Sequence, residues 1–527
     1  MKKTLALILC VALLATLFVM PAAAESAKPY DGVKLTYWVK MDEKAVGAYN
    51  NLAESEWYKR INEATGIEIE FIHPALGSES SEFTLLIAGG DYPDIIENNW
   101  TAYPGGAGAA IEDGVIITLD DYIHTDATPN LSAILTAEPT LDKSIKTAEG
   151  HYYVFPFLRG TSMTNNPSLF SSGFFLRGDI LAELNLEVPE TIAEWDTVMR
   201  AVKAAYPDMI PVVTRTEWMN QIFCSGFDSY WDYYVEDGVV KNGLVEDEHY
   251  DYLKQMAAWY ADGLIDPDYL THTKAGDLRT IFASDGAFAM YDASSGGTSN
   301  SIPNLLESGA IADETEIVTT VPVAREKGVP AKFAKMNSPY DASASSVAIT
   351  TQCSNVDAAV YLLDWMYSEQ GRTITNWGTE GVSYTVVDGE YTYTDEILNN
   401  PNGLSISQAQ ALYVRPSNGA AVSDGMVTKV LATYTAQKDG ATKWTVTSFG
   451  DHMYPAGAAI AADVSEDFAT ITNNVKTYKD ECEAKWITGK EELTPEVWEA
   501  YKAQMEAYGM SRAIEYKQAA YDAFMAN

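Results

Sequence analysis

The order of elements across residues 33–97 constrains this chain more than any other feature. Val33 to Val39 alternates, with Val33, Leu35, Tyr37 and Val39 on one side and Trp38 on the other, which is the period-two pattern of a strand. A helical stretch around Glu54 to Thr65 follows, stopped by Gly66, and Ile67 to Ile72 forms a second strand. An apolar helix carrying Phe83, Leu86 and Ile87 ends at Gly89-Gly90, and Asp94 to Glu97 is a third, short strand. Strands alternating with helices imply a parallel sheet with helices over its faces.

Helix signals recur further on. Thr191 and Glu194 form a capping box ahead of Trp195, Val198, Met199 and Val202 at helical spacing, and Pro207 ends that run. Between Ser354 and Gly371 a second helix is expected, capped by Ser354 with Asp357 three residues on and striped by Ala359, Leu362, Leu363 and Met366. Near the end, Thr494 precedes Pro495 at a first helical position, Gly509 breaks the run, and Ser511 restarts it through Ile514, Tyr521 and Phe524. Internal repeats and Pro-rich linkers are absent, so separate beads on a string are not expected.

Charge then narrows the function. The formal charge of −39 would repel a phosphate backbone, which excludes nucleic acid, and it disfavours anionic lipid for the same reason. A hydrophobic content of 47% is that of a chain with a large core. Lys2 and Lys3, the apolar run Leu5 to Val19, and Pro21 before Ala22-Ala23-Ala24 have the build of a secretory signal, residues 1–24, with cleavage expected before Glu25. The mature product is expected to be exported, in the periplasm or at the cell surface, without a lipid anchor, since Leu9 precedes Cys10 where small residues are wanted. Cys224, Cys353 and Cys482 remain, without metal-ligand spacing, and allow one disulfide at most.

Sharp catalytic patterns are missing: the sequence has no GxSxG, GxxxxGK[ST] or HExxH. Asp266 opens no calcium loop, because Leu270 and Thr271 stand where an oxygen ligand and a glycine belong, so Asp266-Pro267-Asp268 reads as a turn. A pair of carboxylates for glycoside hydrolysis cannot be picked from spacing alone. Aromatic residues are more informative, with 12 Trp and 32 Tyr, many of them beside Gly, Asn, Asp or Arg. Sugar rings pack their C–H faces on aromatic planes while polar side chains take the hydroxyls. Trp195 and Trp365 fall on or beside helix stripes and read as core, whereas Trp38, Trp100, Trp218, Trp231 and Trp377 fall at strand ends or in loops.

Several segments together resemble the extracellular solute-binding proteins of ABC importers, in particular the large family 1 type that binds oligosaccharides. They are LLIAGGDYPDII (85–96), GHYYVFP (150–156), FFLRGDILAELNLEVPETIAEWDTVMRAVKAAYP (174–207), ADGLIDPDYL (261–270), CSNVDAAVYLLDWMYSEQG (353–371), GTEGVSYTV (378–386), WITGKEELTPEVWEAYKAQMEAYGM (486–510) and QAAYDAF (518–524). The resemblance implies an α/β, two-lobed periplasmic-binding-protein-like fold of type 2, each lobe a mixed, mainly parallel sheet covered by helices, with the ligand in the cleft between them. It divides the mature chain into a first lobe of 25–158 and 322–378 and a second of 159–321 and 379–527. It implies a protein that binds without catalysis or cofactor, closes by hinge bending, and delivers its ligand to permease subunits; a monomer is expected, because nothing in the sequence suggests a dimer interface and monomers suit hinge motion.

The resemblance also suggests site residues. Glu380 and Tyr384 match positions that look like ligand contacts in similar proteins, with Trp377 just upstream. Trp38 and Trp100 would stack on sugar from the first lobe, and Trp218, Trp231 and Tyr291 from the second. Arg159 and Arg177 would bond hydroxyls or a carboxylate, although Arg177 equally suits a structural ion pair. Three departures stand out: the family's lipid-attached cysteine is missing, 299–345 follows the pattern loosely, and the chain runs through Pro207-Asp208-Met209-Ile210-Pro211 where many relatives insert a calcium loop. No metal is expected there. Competing readings are an exported carbohydrate hydrolase or lyase, a binding protein for a peptide or other small solute, and a ligand-loaded partner of a membrane sensor.

Overall fold

The computed structural model describes residues 28–526 apart from 46–47, 148, 163–165, 342–343 and 416–417; the expected signal segment and Cys10 lie outside the described residues. Lys34–Trp38 is central in a four-stranded sheet, parallel to Glu68–Ile72 on one side and Ile95–Asn98 on the other. Ser346–Ile349 adds antiparallel to the outer edge of Ile95–Asn98. The alternation in the first strand has its expected consequence. Leu35, Tyr37 and Val39 enter one core, and Trp38 enters another with Phe83 and Ile96 on the opposite face. Helix Glu56–Thr65 starts on the Ser55 side chain and stops at Gly66, whose φ is +75°. A Cβ on Gly66 would sit 2.3 Å from the Asp31 carboxylate, so this turn needs glycine on two counts.

A second sheet runs Ile317–Thr319, Ser172–Arg177, Ala287–Ala293, Ile210–Val213 in spatial order. Ser172–Arg177 is antiparallel to both neighbours, and Ile210–Val213 is parallel to Ala287–Ala293. Helix Ile192–Ala205 covers this sheet and carries the Thr191–Glu194 capping box. Its Trp195 is sealed against Phe174, with ring centroids 4.5 Å apart, and truncating a side chain of that size in a core costs about 3–5 kcal/mol. Residues 206–209 then lead straight into the strand Ile210–Val213. Asp266 accepts a hydrogen bond from the Asp268 N–H at 2.9 Å, which makes the expected turn.

The helix expected over Ser354–Gly371 is two helices, Val356–Trp365 and Glu369–Trp377. Asn355, not Ser354, caps the first, and the Ser368 hydroxyl accepts from the Gly371 N–H to start the second. Gly371 therefore lies inside a helix, where a Cβ would meet the Trp365 carbonyl at 2.4 Å. Trp365 is partly buried against the first core.

The two large cores place the lobe boundaries differently from the sequence reading. Ala411, Ala420 and Val422 pack in the first core, whereas the family resemblance puts 379–527 in the second lobe. Helix Ile406–Tyr413 lies on Glu56–Thr65, and Ala421–Ser423 pairs in parallel with Phe157–Arg159, so these contacts hold 379–423 to the first lobe. Ala334 joins the second core and Tyr340 the first, so that crossing falls after residue 334 instead of at 322. Three crossings result: one between Leu158 and Leu169, one between Ala334 and Tyr340, and one between Val422 and Ala436. The C-terminal helices Ser465–Ile487, Pro495–Tyr508 and Met510–Ala526 complete the second lobe through Trp486, Trp498 and Tyr501. Cys224, Cys353 and Cys482 are unpaired. Among the described residues no helix is long and apolar enough to cross a membrane.

Candidate functional site

In the first sheet the chain leaves Lys34–Trp38 for one neighbour and returns to the other, so strand order reverses at this strand. Open α/β sheets bind ligands outside the carboxyl ends of their strands at such a reversal. A cavity of about 330 Å³ opens there, lined by Lys40, Asp42 and Lys44 from the chain beyond the central strand, Glu97 from its neighbour, and Arg415. Its remaining wall includes Phe157, Ser345 and Ala421 to Ser423, so the cavity borders the crossing segments.

Glu97 and Arg415 form a buried ion pair in this wall, and the Tyr37 hydroxyl donates to the same Glu97 oxygen at 2.8 Å. Burial together with the Glu97 charge pushes the Tyr37 phenol far above its ordinary range. Arg415 also donates to the Asn418 carbonyl and lies over Trp57, 4.8 Å from the ring centre. The network holds Arg415 and Asn418 at the end of Ile95–Asn98.

The corresponding end of the second sheet presents Arg215 and Trp218 after Ile210–Val213, Tyr291 near the end of Ala287–Ala293, and Ser172 at the start of the antiparallel strand. A small cavity there is lined by Gln221, Tyr291, Lys335 and Trp444 among others. Trp218 is buried. The Arg215 guanidinium lies 4.0 Å from its ring centre, the Lys335 ammonium 5.6 Å and the Tyr291 ring 5.8 Å. Thr214 Oγ1, Arg215 Nε and Gln221 Oε1 are buried without hydrogen-bond partners among the described residues. Burial lowers the Lys335 ammonium pKa and raises the Tyr291 phenol to about 12. This concentration of unsatisfied polar groups and cations at one strand end suits a polar ligand.

The aromatic residues expected as platforms are mostly internal. Trp38 and Trp100 are 4% and 1% exposed and enclose Phe83, with ring centroids 5.9 and 5.8 Å from it, because the face of the sheet that Trp38 enters is covered by helix. Arg177 stands at the opposite end of its strand from Ser172. It is paired with Asp179 at 2.6 Å and with Asp285, and donates to the Ala310 carbonyl, which makes it the structural alternative. Trp231 is half-buried, lying on Tyr230 with ring centroids 4.3 Å apart and packed against the second core.

Trp377 and Tyr384 come together, buried under the hairpin Tyr384–Val387 and Glu390–Tyr393 with Tyr391 and Tyr393, and Glu380 is exposed beside them. Trp377 lines a separate cavity of about 520 Å³ with Arg372, Tyr391 and Asp424, and donates from Nε1 to Asp424 at 3.1 Å. Arg159 lies in a crossing segment, donating to the Ser338 carbonyl at 3.3 Å and facing Asp341 at 3.6 Å. Trp218, Tyr291 and Arg159 are thus the expected residues found near the strand ends. Lys40, Asp42, Lys44, Glu97, Arg215, Gln221, Lys335 and Arg415 were missed. For Lys40, Asp42 and Arg215 the signal was their place just beyond a strand's last residue.

Comparison with known proteins supplies the frame for this geometry. The family model for bacterial extracellular solute-binding proteins matches residues 43–373. The chain is 23% identical over 494 residues to the fructooligosaccharide ABC transporter substrate-binding protein FusA of Streptococcus pneumoniae, covering 89% of this chain and 87% of that one. An HMO-binding, ABC-transporter-associated solute-binding protein of Bifidobacterium longum infantis superposes with a TM-score of 0.70 at 20% identity, over 94% of this chain and 99% of its own. The alginate-binding protein AlgQ2, crystallised without calcium ion, superposes with a TM-score of 0.62 at 21% identity, over 93% and 98%.

Proposed function

The chain belongs to the bacterial extracellular solute-binding proteins, and we propose that within this family it captures an oligosaccharide between its lobes and delivers it to the permease of an ABC importer. The observation that carries this reading is the opening of both sheets' carboxyl ends beside the three crossing segments. Polar groups from two bodies can then close on one ligand and desolvate it together. The oligosaccharide class follows from the sequence relative, whose name gives it a fructooligosaccharide and an ABC transporter. The protein acts by binding, without turnover, as an exported monomer that begins at Glu25.

A thermal-shift screen of residues 25–527 against neutral and acidic oligosaccharides, with short peptides as controls, tests the reading. A ligand that binds only the folded state raises the melting temperature by mass action. We expect stabilisation by one sugar class, with the sugar recovered intact after hours. Conversion of the sugar would establish an enzyme instead. A response to peptides alone would remove the carbohydrate.

A further inference from the structure

We propose, on the reading just given, that the captured oligosaccharide is acidic and that its anionic group meets Lys335 and Arg215 on the second lobe and Lys40 and Lys44 on the first. The overall charge of −39 makes a cationic strand-end surface an exception that random placement would not favour. In the first-lobe cavity Glu97 is neutralised by Arg415, leaving Lys40 and Lys44 against Asp42, with Glu79 outside the cavity also attracting Lys40. Among the described residues Lys40, Lys44 and Lys335 have no ion pair, while Arg159 faces Asp341 and Arg215 faces the exposed Glu217 at 3.0 Å.

The second-lobe group carries the argument further. Lys335 and Arg215 share the Trp218 ring, so two like charges stand together in a half-buried place. Burial disfavours the Lys335 ammonium; the exposed Glu217 carboxylate offsets part of that, and the neighbouring guanidinium adds to the cost. A carboxylate or sulfate arriving between them would relieve both effects with charge-assisted hydrogen bonds. The same arrangement removes Trp218 as a stacking platform, since the guanidinium already lies over its ring. A neutral sugar would therefore meet cations where it needs an apolar plane. Gln221, with its unpartnered Oε1, supplies an acceptor for a hydroxyl at the same end.

Calorimetric titration of residues 25–527 tests this with three probe sets: oligouronates, their neutral methyl esters of equal length, and sulfated oligosaccharides, alongside neutral fructooligosaccharides. We expect at least one acidic probe to bind at least tenfold tighter than every neutral one, with affinity falling from about 50 to about 500 mM salt, the screening expected of charge pairing as the Debye length shrinks below the roughly 10 Å it has at 0.1 M. The member that binds distinguishes carboxylate from sulfate. Lys335→Met should lose about tenfold on the acidic probe, Lys335→Arg should keep most of it, and Lys34→Gln, an exposed lysine paired with Glu68, should change nothing. Melting curves check that each variant folds, and Lys40→Met, at an exposed position, repeats the test on the first lobe. Neutral probes binding as tightly as acidic ones, or a Lys335→Met variant with unchanged discrimination, would overturn the acidic ligand and leave oligosaccharide capture standing. No binding by any oligosaccharide would remove the capture reading and this inference with it.

Discussion

The carboxylate of Glu97 and the guanidinium of Arg415 are ion-paired across 318 residues of sequence, with side chains only 2% and 3% exposed. Removing one partner of a buried pair leaves a charge without compensation, which costs about 3–5 kcal/mol. We expect Glu97→Leu and Arg415→Met, each alone, to lower stability by that order in urea melts. The double variant Glu97→Leu with Arg415→Met should recover much of the loss, because two apolar groups leave no orphan charge. Strictly additive losses in this cycle would mean that the two side chains act independently.

Gly173 lies under the indole of Trp444. A Cβ there would be 1.9 Å from Trp444 Nε1, which itself donates to Thr319 Oγ1 at 3.0 Å. Gly173→Ala must displace a ring that is sealed in the second core and break that hydrogen bond. Overpacking of this kind costs about 1–3 kcal/mol. Thermal melts should show the loss, and Trp444→Phe in the same chain should recover little of it, because its ring occupies much of the same space. A Gly173→Ala variant as stable as the parent would mean that the strand moves freely away from the indole.

Acid should protonate Glu236 late. Hydrogen bonds from Lys241 and Lys332 hold its carboxyl at about 2, below the ordinary value of 4.5. A depressed folded pKa gives stability that is complete above the unfolded value and is lost as pH falls through the folded one. Glu236 is 28% exposed, so solvent screening reduces the contribution to about 1–2 kcal/mol. Urea melts of the parent and Glu236→Gln should therefore differ by a constant amount above about pH 5, draw together as pH falls, and converge only below about pH 2. A constant difference across the whole range would assign the effect to packing instead.

The elements were legible where local chemistry decides them. The alternation around Trp38, the Thr191–Glu194 box, and the Gly66 and Gly509 stops each act within a few residues, and each is present. The break at Ser368 was hidden, because the apolar stripe through Met366 runs on past the turn. The site was less legible, since Arg415 reaches Glu97 only through the fold, and Lys335 meets Trp218 from a crossing segment 117 residues further along the chain. Sequence also shows that Trp38 and Trp100 follow or end strands without showing that helix covers them. For the same reason Arg177 looked available, although its carboxylate partner Asp285 lies 108 residues away.

The last prediction concerns a fourth meeting of the lobes, separate from the three crossings. Gly457, in the segment bonded to the C-terminal helix through Tyr454 and the Lys517 carbonyl, lies against helix Pro139–Ser144 of the first lobe. A Cβ on Gly457 would be 2.5 Å from Ser144 Cα and 3.0 Å from the Phe524 ring. Nearby, Lys143 Nζ donates to the Met525 carbonyl at 2.5 Å. The Ser144 contact is to backbone, so it cannot yield by a rotamer change, and Gly457→Val must move the segment, the helix or the lobes. We expect a loss of about 1–3 kcal/mol in melts and, in small-angle scattering of the ligand-free protein, a larger radius of gyration as the lobes are wedged apart. Lys143→Met removes the ammonium donor without adding bulk, so it should alter the melt slightly and the scattering not at all. A valine variant with unchanged scattering but lowered stability would place the strain within the second lobe, and the contact would then have no part in holding the lobes together.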